Sequence, residues 1–138
     1  MISRGDYSNT LRSLGQFLEG VDATEIGIVE HEEYLEVSWR NKRGDREERY
    51  HEPAELAQLR TLASMYRGKD DRPRYGLAEL LRTMGQELDA LLVQGVAIAE
   101  TPDGFHSAGR VNGSEVSRTY TRDELIQLAQ RYRRKRAP

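Results

Sequence analysis

Two glutamates and three histidines are the side chains best suited to acid–base chemistry in this sequence. Glu30 and Glu100 each close a short apolar run, Ile26-Gly27-Ile28-Val29 and Val96-Ala97-Ile98-Ala99. Alternate side chains of an extended strand share a face. Each glutamate therefore points the same way as the large apolar residues before it, towards a core. A carboxylate placed there needs a partner. Arg40 and Arg110, at the ends of the following strands, form one candidate set, and Arg12 and Arg82 on the preceding helices form another. A structural ion pair is the expectation. Two catalytic carboxylates would need a nucleophile, a ligand set or a phosphate loop beside them, and none accompanies these two.

The histidines are His31, His51 and His106. His31 ends one expected strand and His51 ends another, with a third strand between them. Their ends then lie two strand spacings apart, roughly 9–10 Å. That separation is too large for shared metal ligation without a third group, so solvated strand-end histidines are expected. The chain has no cysteine, which removes disulfides, thiolate metal sites and a thiol nucleophile. Neither G-x-G-x-x-G, G-x-x-x-x-G-K-[ST] nor H-E-x-x-H occurs. Arg4-Gly5-Asp6 matches a cell-adhesion tripeptide, but nothing else points to export. Asn112-Gly113-Ser114 matches a glycosylation acceptor and reads better as a turn. No catalytic, cofactor-binding or metal-binding residues are assigned, and no cofactor is expected.

One cluster remains. Arg131, Arg133, Arg134, Lys135 and Arg136 are five of the 11 basic residues after position 70, and that half carries 9 acidic ones. The first 70 residues hold 10 basic and 14 acidic side chains. The body is acidic and one end is basic. Such a cluster contacts nucleic acid or an acidic partner in some proteins. It also suits the end of a helix, where the backbone carries partial negative charge.

The elements that position these residues come in two copies. Shifting the sequence by 70 places Leu11-Arg12-Ser13-Leu14-Gly15-Gln16 on Leu81-Arg82-Thr83-Met84-Gly85-Gln86. Ile26, Ile28 and Glu30 fall on Val96, Ile98 and Glu100, Leu35 on Phe105, Arg40 on Arg110 and Tyr50 on Tyr120. After one deletion, placed beyond the third strand, Glu55-Leu56-Ala57-Gln58-Leu59 falls on Glu124-Leu125-Ile126-Gln127-Leu128. An internal repeat takes precedence over other readings. Each copy reads helix, three strands, helix. The first helices span 7–19 and 77–91, with apolar stripes Leu11, Leu14, Leu18 and Leu81, Met84, Leu88. Gly15 and Gly85 lie on those stripes. A mid-helix glycine costs about 1 kcal/mol relative to alanine, so its presence in both copies predicts close approach of another backbone.

Segments 24–30 and 94–100 are small and apolar on both faces and read as central strands covered on both sides. Segment 34–40 alternates, with Leu35, Val37 and Trp39 on one face. The third strands span 46–51 and 115–121, after hairpin loops at 41–45 and 111–114. The last helix of the first copy starts at Pro53 and buries Leu56, Leu59, Ala63 and Tyr66. That of the second starts with a capping box, Thr121-Arg122-Asp123-Glu124, and buries Leu125, Leu128, Ala129 and Tyr132. The expected architecture is α+β: residues 1–68 and 77–138 as two α-β-β-β-α repeats, joined by a charged linker at 69–76. The repeats form one compact body about a pseudo-two-fold axis, with helices packed on antiparallel sheet.

The layout resembles the double-stranded RNA-binding domain in element order. That resemblance implies a lysine-rich start to each second helix, gripping phosphates. Here the starts are Glu52-Pro53-Ala54-Glu55 and Arg122-Asp123-Glu124, and acidic helix starts repel phosphate. The first six residues form no apolar signal core, and no apolar run reaches 18 residues, so a soluble cytoplasmic protein is expected. The expected function is a non-enzymatic binding or adaptor module acting on a protein, itself or another. The alternative is a nucleic-acid-associated protein that uses its basic C-terminal helix.

Overall fold

The computed structural model describes residues 6–52, 55 and 75–136. Helix α1 (Tyr7–Gly20) leads into β1 (Thr24–Glu30), β2 (Leu35–Arg40) and β3 (Arg46–His51). Helix α2 (Leu77–Leu91) leads into β4 (Gln94–Glu100), β5 (Gly104–Val111), β6 (Ser114–Thr121) and α3 (Arg122–Arg136). The six strands form one antiparallel sheet in the order β3-β2-β1-β4-β5-β6. The protein is of the α+β class, with helices packed on an antiparallel sheet. Among the described residues, no helix is long and apolar enough to cross a membrane. The last helix expected in the first copy, its stripe Leu56, Leu59, Ala63 and Tyr66, and most of the linker lie outside the described residues.

The core lies between the sheet and the α1–α2 pair. Leu11, Leu14 and Leu18 from α1 and Leu81, Met84 and Leu88 from α2 are buried against Ile26, Ile28, Leu35, Val37, Trp39, Val96, Ile98 and Phe105. The helices pack closely because each brings a glycine to the other's first turn. A Cβ on Gly15 would lie 2.5 Å from Ala78 Cα, and one on Gly85 would lie 2.5 Å from Ser8 Cα. The glycines thus mark close backbone approach, as their positions in the sequence predict. Neither helix caps its own N-terminus with a side chain. Asp89 of α2 accepts the Tyr7 and Ser8 N–H groups at 3.0 and 3.1 Å, and Glu19 of α1 accepts the Ala78 N–H at 2.7 Å. Carboxylates suit the positive end of a helix dipole, so these contacts tie the two helices together at both ends.

β1 and β4 are central, but among the described residues helices cover only one of their sides. On the face away from α1 and α2, Gly27, Val29 and Ala97 are only half-buried and Ala99 is exposed. Their small size leaves room for the Arg46 and Arg110 side chains, which lie over Gly27 and Gly95 on this face.

The third strands correct the sequence register. His51 lies opposite Leu35, whereas Tyr120 lies opposite Phe105. Tyr50 instead lies opposite Glu36, and Thr119 opposite His106. Leu35 and Phe105 correspond across the 70-residue shift, so it is His51 that occupies the place of Tyr120. The length difference falls in the hairpins: Asn41–Asp45 is a five-residue loop, while Asn112-Gly113 forms a two-residue turn with both residues at positive φ. A one-residue slip turns every side chain to the other face. Tyr120 is consequently buried and Tyr50 is 55% exposed.

Candidate functional site

Glu30 and Glu100 sit at the two ends of the central ladder. The β1–β4 pairing runs through Gly27–Ala99, Ile28–Ile98 and Val29–Ala97. One step further at each end, Ile26 faces Glu100 and Val96 faces Glu30. There both strands break their pairing with β2 and β5, at Glu25 (φ 48°) and Gly95 (φ 62°). Such bulges leave N–H groups without ladder partners. The glutamates supply the missing acceptors. Glu30 Oε1 accepts the Val96 N–H at 3.0 Å and the Tyr7 hydroxyl at 2.7 Å. Glu100 Oε1 accepts the Ile26 N–H at 3.3 Å. Burial, together with the hydrogen bond to Glu30, pushes the Tyr7 phenol well above its ordinary range.

These partners replace the expected ones. Arg40 binds Glu25 Oε2 at 2.7 Å and the Gly44 carbonyl at 2.6 Å, and it holds the Glu25 carboxyl below its usual range. The Arg110 guanidinium lies across Gly95, 2.9 Å from where a Cβ would be. Arg82 reaches Glu79 at 3.6 Å. Glu100 Oε2 pairs with Arg122 at 3.4 Å. The carboxylates are thus used in holding the sheet.

The histidines separate. His51 is buried on the helix-facing side, with Nδ1 3.9 Å from Glu55 and, among the described residues, Nε2 without a hydrogen-bond partner. It is not the solvated strand-end histidine that its position in the sequence implies. Burial lowers its pKa below the ordinary value, and Arg49 adds to that. His106 meets Thr119 Oγ1 at 2.9 Å. His31 bonds Glu36 at 3.1 Å and stacks on Tyr34 with ring centroids 4.4 Å apart. Tyr34 in turn meets Tyr50 edge-on at 5.7 Å. These three rings form an aromatic cluster, Tyr50 exposed and His31 and Tyr34 half-buried, with Glu36 and Glu48 beside it, and the Tyr50 hydroxyl donates to Glu48 at 3.0 Å. The cluster is invisible to alternation alone, because it depends on the register that puts Tyr50 on the open face.

The basic cluster lies on the second half of α3. Its capping box forms as expected: Glu124 N–H donates to Thr121 Oγ1 and Thr121 N–H to Glu124 Oε1, both at 3.1 Å. Leu125 and Ala129 are buried and Leu128 and Tyr132 half-buried, which leaves Arg131 and Arg134 exposed. Arg133 lies over the Tyr75 ring, 5.7 Å from its centroid. Lys135 and Arg136 complete the helix. No family model matches this chain, and neither the curated proteins nor the solved structures compared with it include a significant match.

Proposed function

We propose that the chain is a tandem duplication of an α-β-β-β-α unit with pseudo-two-fold symmetry, and that it works in the cytoplasm as a non-enzymatic binding module for a protein partner. Reciprocal contacts support the duplication. Ile28 faces Ile98, its counterpart 70 residues on. Glu30 takes the N–H of Val96 while Glu100 takes that of Ile26. Gly15 meets α2 where Gly85 meets α1.

The observation that carries the binding reading is the open sheet face. Among the described residues, the α1–α2 pair covers one side of β1 and β4, and the other side presents small residues, the Arg46 and Arg110 side chains and, at one margin, the exposed Tyr50 ring. A surface of this kind buries partner area at low side-chain entropy cost, because the central residues are short and aromatic rings have few rotors. The test is site-directed photocrosslinking in native extract, with the photoreactive residue at position 50 in one preparation and at position 134 in another. Protein adducts formed at 50 support the module. Nucleic-acid adducts confined to 134 move the function to the basic helix, and adducts at neither position overturn both readings.

A further inference from the structure

We propose that β3 is a docking edge for an extended segment of a partner protein in which basic and apolar residues alternate. This rests on the binding-module reading and names its occupant. The backbone comes first. Asn41 N–H bonds the Asp45 carbonyl and His31 N–H bonds the Tyr34 carbonyl. Counting from both ends, β2 turns the backbone groups of Leu35, Val37 and Trp39 towards β3. The amides and carbonyls of Arg46, Glu48 and Tyr50 consequently face outward along the sheet edge. All residues from Arg46 to Tyr50 are exposed. Among the described residues no strand pairs with this edge, and an unpaired edge accepts an added strand through main-chain hydrogen bonds.

The two sides of that edge differ, and the difference selects the sequence that fits. On the open face, the added strand meets Glu48 and the Tyr50–Tyr34–His31 rings, with Glu36 behind them. Glu32 and Glu33 are exposed in the adjoining turn. Arg46, the cation on this face of β3, is already held by the Glu25 carbonyl and Ser38 Oγ. Carboxylates beside aromatic faces favour ammonium or guanidinium groups. On the helix side the edge borders a cleft of ≈ 440 Å³ lined by Phe17, Val21, Trp39, Glu47, Glu48 and Arg49. Phe17 and Trp39 form its buried floor, and the Arg49 guanidinium lies over the Phe17 ring at 5.2 Å. Half-buried Val21 with the Arg49 stem is the apolar surface that the alternate residues of the same strand would meet. Opposite residues of paired strands share a face, so one peptide supplies cations to one side and apolar groups to the other.

The second half of the chain shows that the fold does not require the ring cluster. In the places of His31, Tyr34 and Tyr50 it has Thr101, Gly104 and Thr119, and its edge strand carries one acid and one base, Glu115 and Arg118.

The probe is a fluorescein-labelled octapeptide of alternating arginine and valine, followed by anisotropy at low and physiological salt. Its counterpart with glutamate for arginine is the control. The expected result is saturable binding of the arginine peptide alone. Tyr50→Thr should weaken it about two- to fivefold, the loss of one exposed cation–aromatic contact. Glu36→Gln with Glu48→Gln should weaken it further, and most strongly at low salt. Glu48→Pro against Glu48→Gln isolates the outward N–H, since proline is tolerated on an edge strand, and circular dichroism monitors folding. Binding lost with proline and retained with glutamine marks strand addition. No binding, equal binding of both peptides, or binding indifferent to all these changes overturns the proposal. Crosslinking at position 50 to a partner without such a segment also overturns it, while leaving the binding-module reading in place.

Discussion

The Glu30 carboxylate completes the hydrogen bonding of Val96, a residue directly across the central strand pair, at 3.0 Å. Sheet ladders normally use backbone carbonyls for this. Here a side chain substitutes where the bulge at Gly95 interrupts the pairing with β5. The same oxygen takes the Tyr7 hydroxyl, so helix α1, β1 and β4 meet at one atom.

Removing that atom should be costly. Glu30→Ala leaves the Val96 N–H and the Tyr7 hydroxyl without their acceptor, and hydrogen bonds to charged groups contribute about 1.5–3 kcal/mol. A loss of that size in urea unfolding is expected. Glu30→Gln should lose less, because the amide oxygen still accepts. An unchanged midpoint for Glu30→Ala would show that water replaces the carboxylate without penalty.

The helix pair should reject any side chain at its crossing points. A methyl group on Gly15 or Gly85 meets backbone atoms at 2.5 Å, and backbone cannot rotate away. Gly15→Ala and Gly85→Ala should each destabilise by about 1–3 kcal/mol through overpacking, despite alanine's better helix propensity. Gly44→Ala serves as comparison, since nothing lies within 4 Å of its Cβ position and its strain comes only from φ +85°. Melting temperatures unchanged in both helix variants would refute the close contact.

His51 should make the protein sensitive to mild acid. Burial lowers its pKa in the folded state below the ordinary 6.5. As pH falls through 6.5 the unfolded chain takes up a proton that the folded chain resists. The unfolded state then binds more protons, so stability falls as pH is lowered through this window and recovers as pH rises. His51→Tyr places the residue found at the corresponding position 120 and removes the titration. Its unfolding free energy should be flatter between pH 7 and 5 than that of the wild type. Parallel profiles would assign the acid sensitivity to other groups.

Much of this architecture is legible in the sequence because burial imposes a period. The boundaries of β1, β4 and α2 follow from apolar spacing, and the paired glycines announce the helix contact before any coordinates exist. The glutamates were legible as core-facing residues, but not their partners: a backbone N–H exposed by a bulge has no side-chain signature. The third-strand register is hidden for a related reason. Matching Tyr50 to Tyr120 rewards residue identity, whereas the structure matches the buried place, which one copy fills with histidine and the other with tyrosine. The ring cluster on the open face, being a product of that slip, could not be read until the hairpin lengths were known.

The basic end of α3 should bind duplex nucleic acid weakly and without regard to sequence. Each phosphate neutralised contributes about 0.9 to the slope of log affinity against log salt. Five contacts would give a slope near −4.5, and the cluster cannot deliver all five with equal freedom. Arg133 is drawn over the Tyr75 ring. Tyr132, the aromatic residue among these cations, is half-buried and its phenol is pushed above its ordinary range by burial and by Glu87. It is therefore poorly placed to stack on a base. The helix also begins with Asp123 and Glu124, both exposed, which repel a phosphate backbone lying along it. Titration of labelled duplex and single strand should give a slope shallower than −4.5, with binding lost near physiological salt. Arg131→Gln with Arg134→Gln removes two exposed cations without touching Leu125 or Ala129, and should reduce the slope by about 1.8. Binding that persists at physiological salt would place the nucleic-acid function ahead of the protein-binding one. Binding indifferent to these two substitutions would locate the contact elsewhere on the surface.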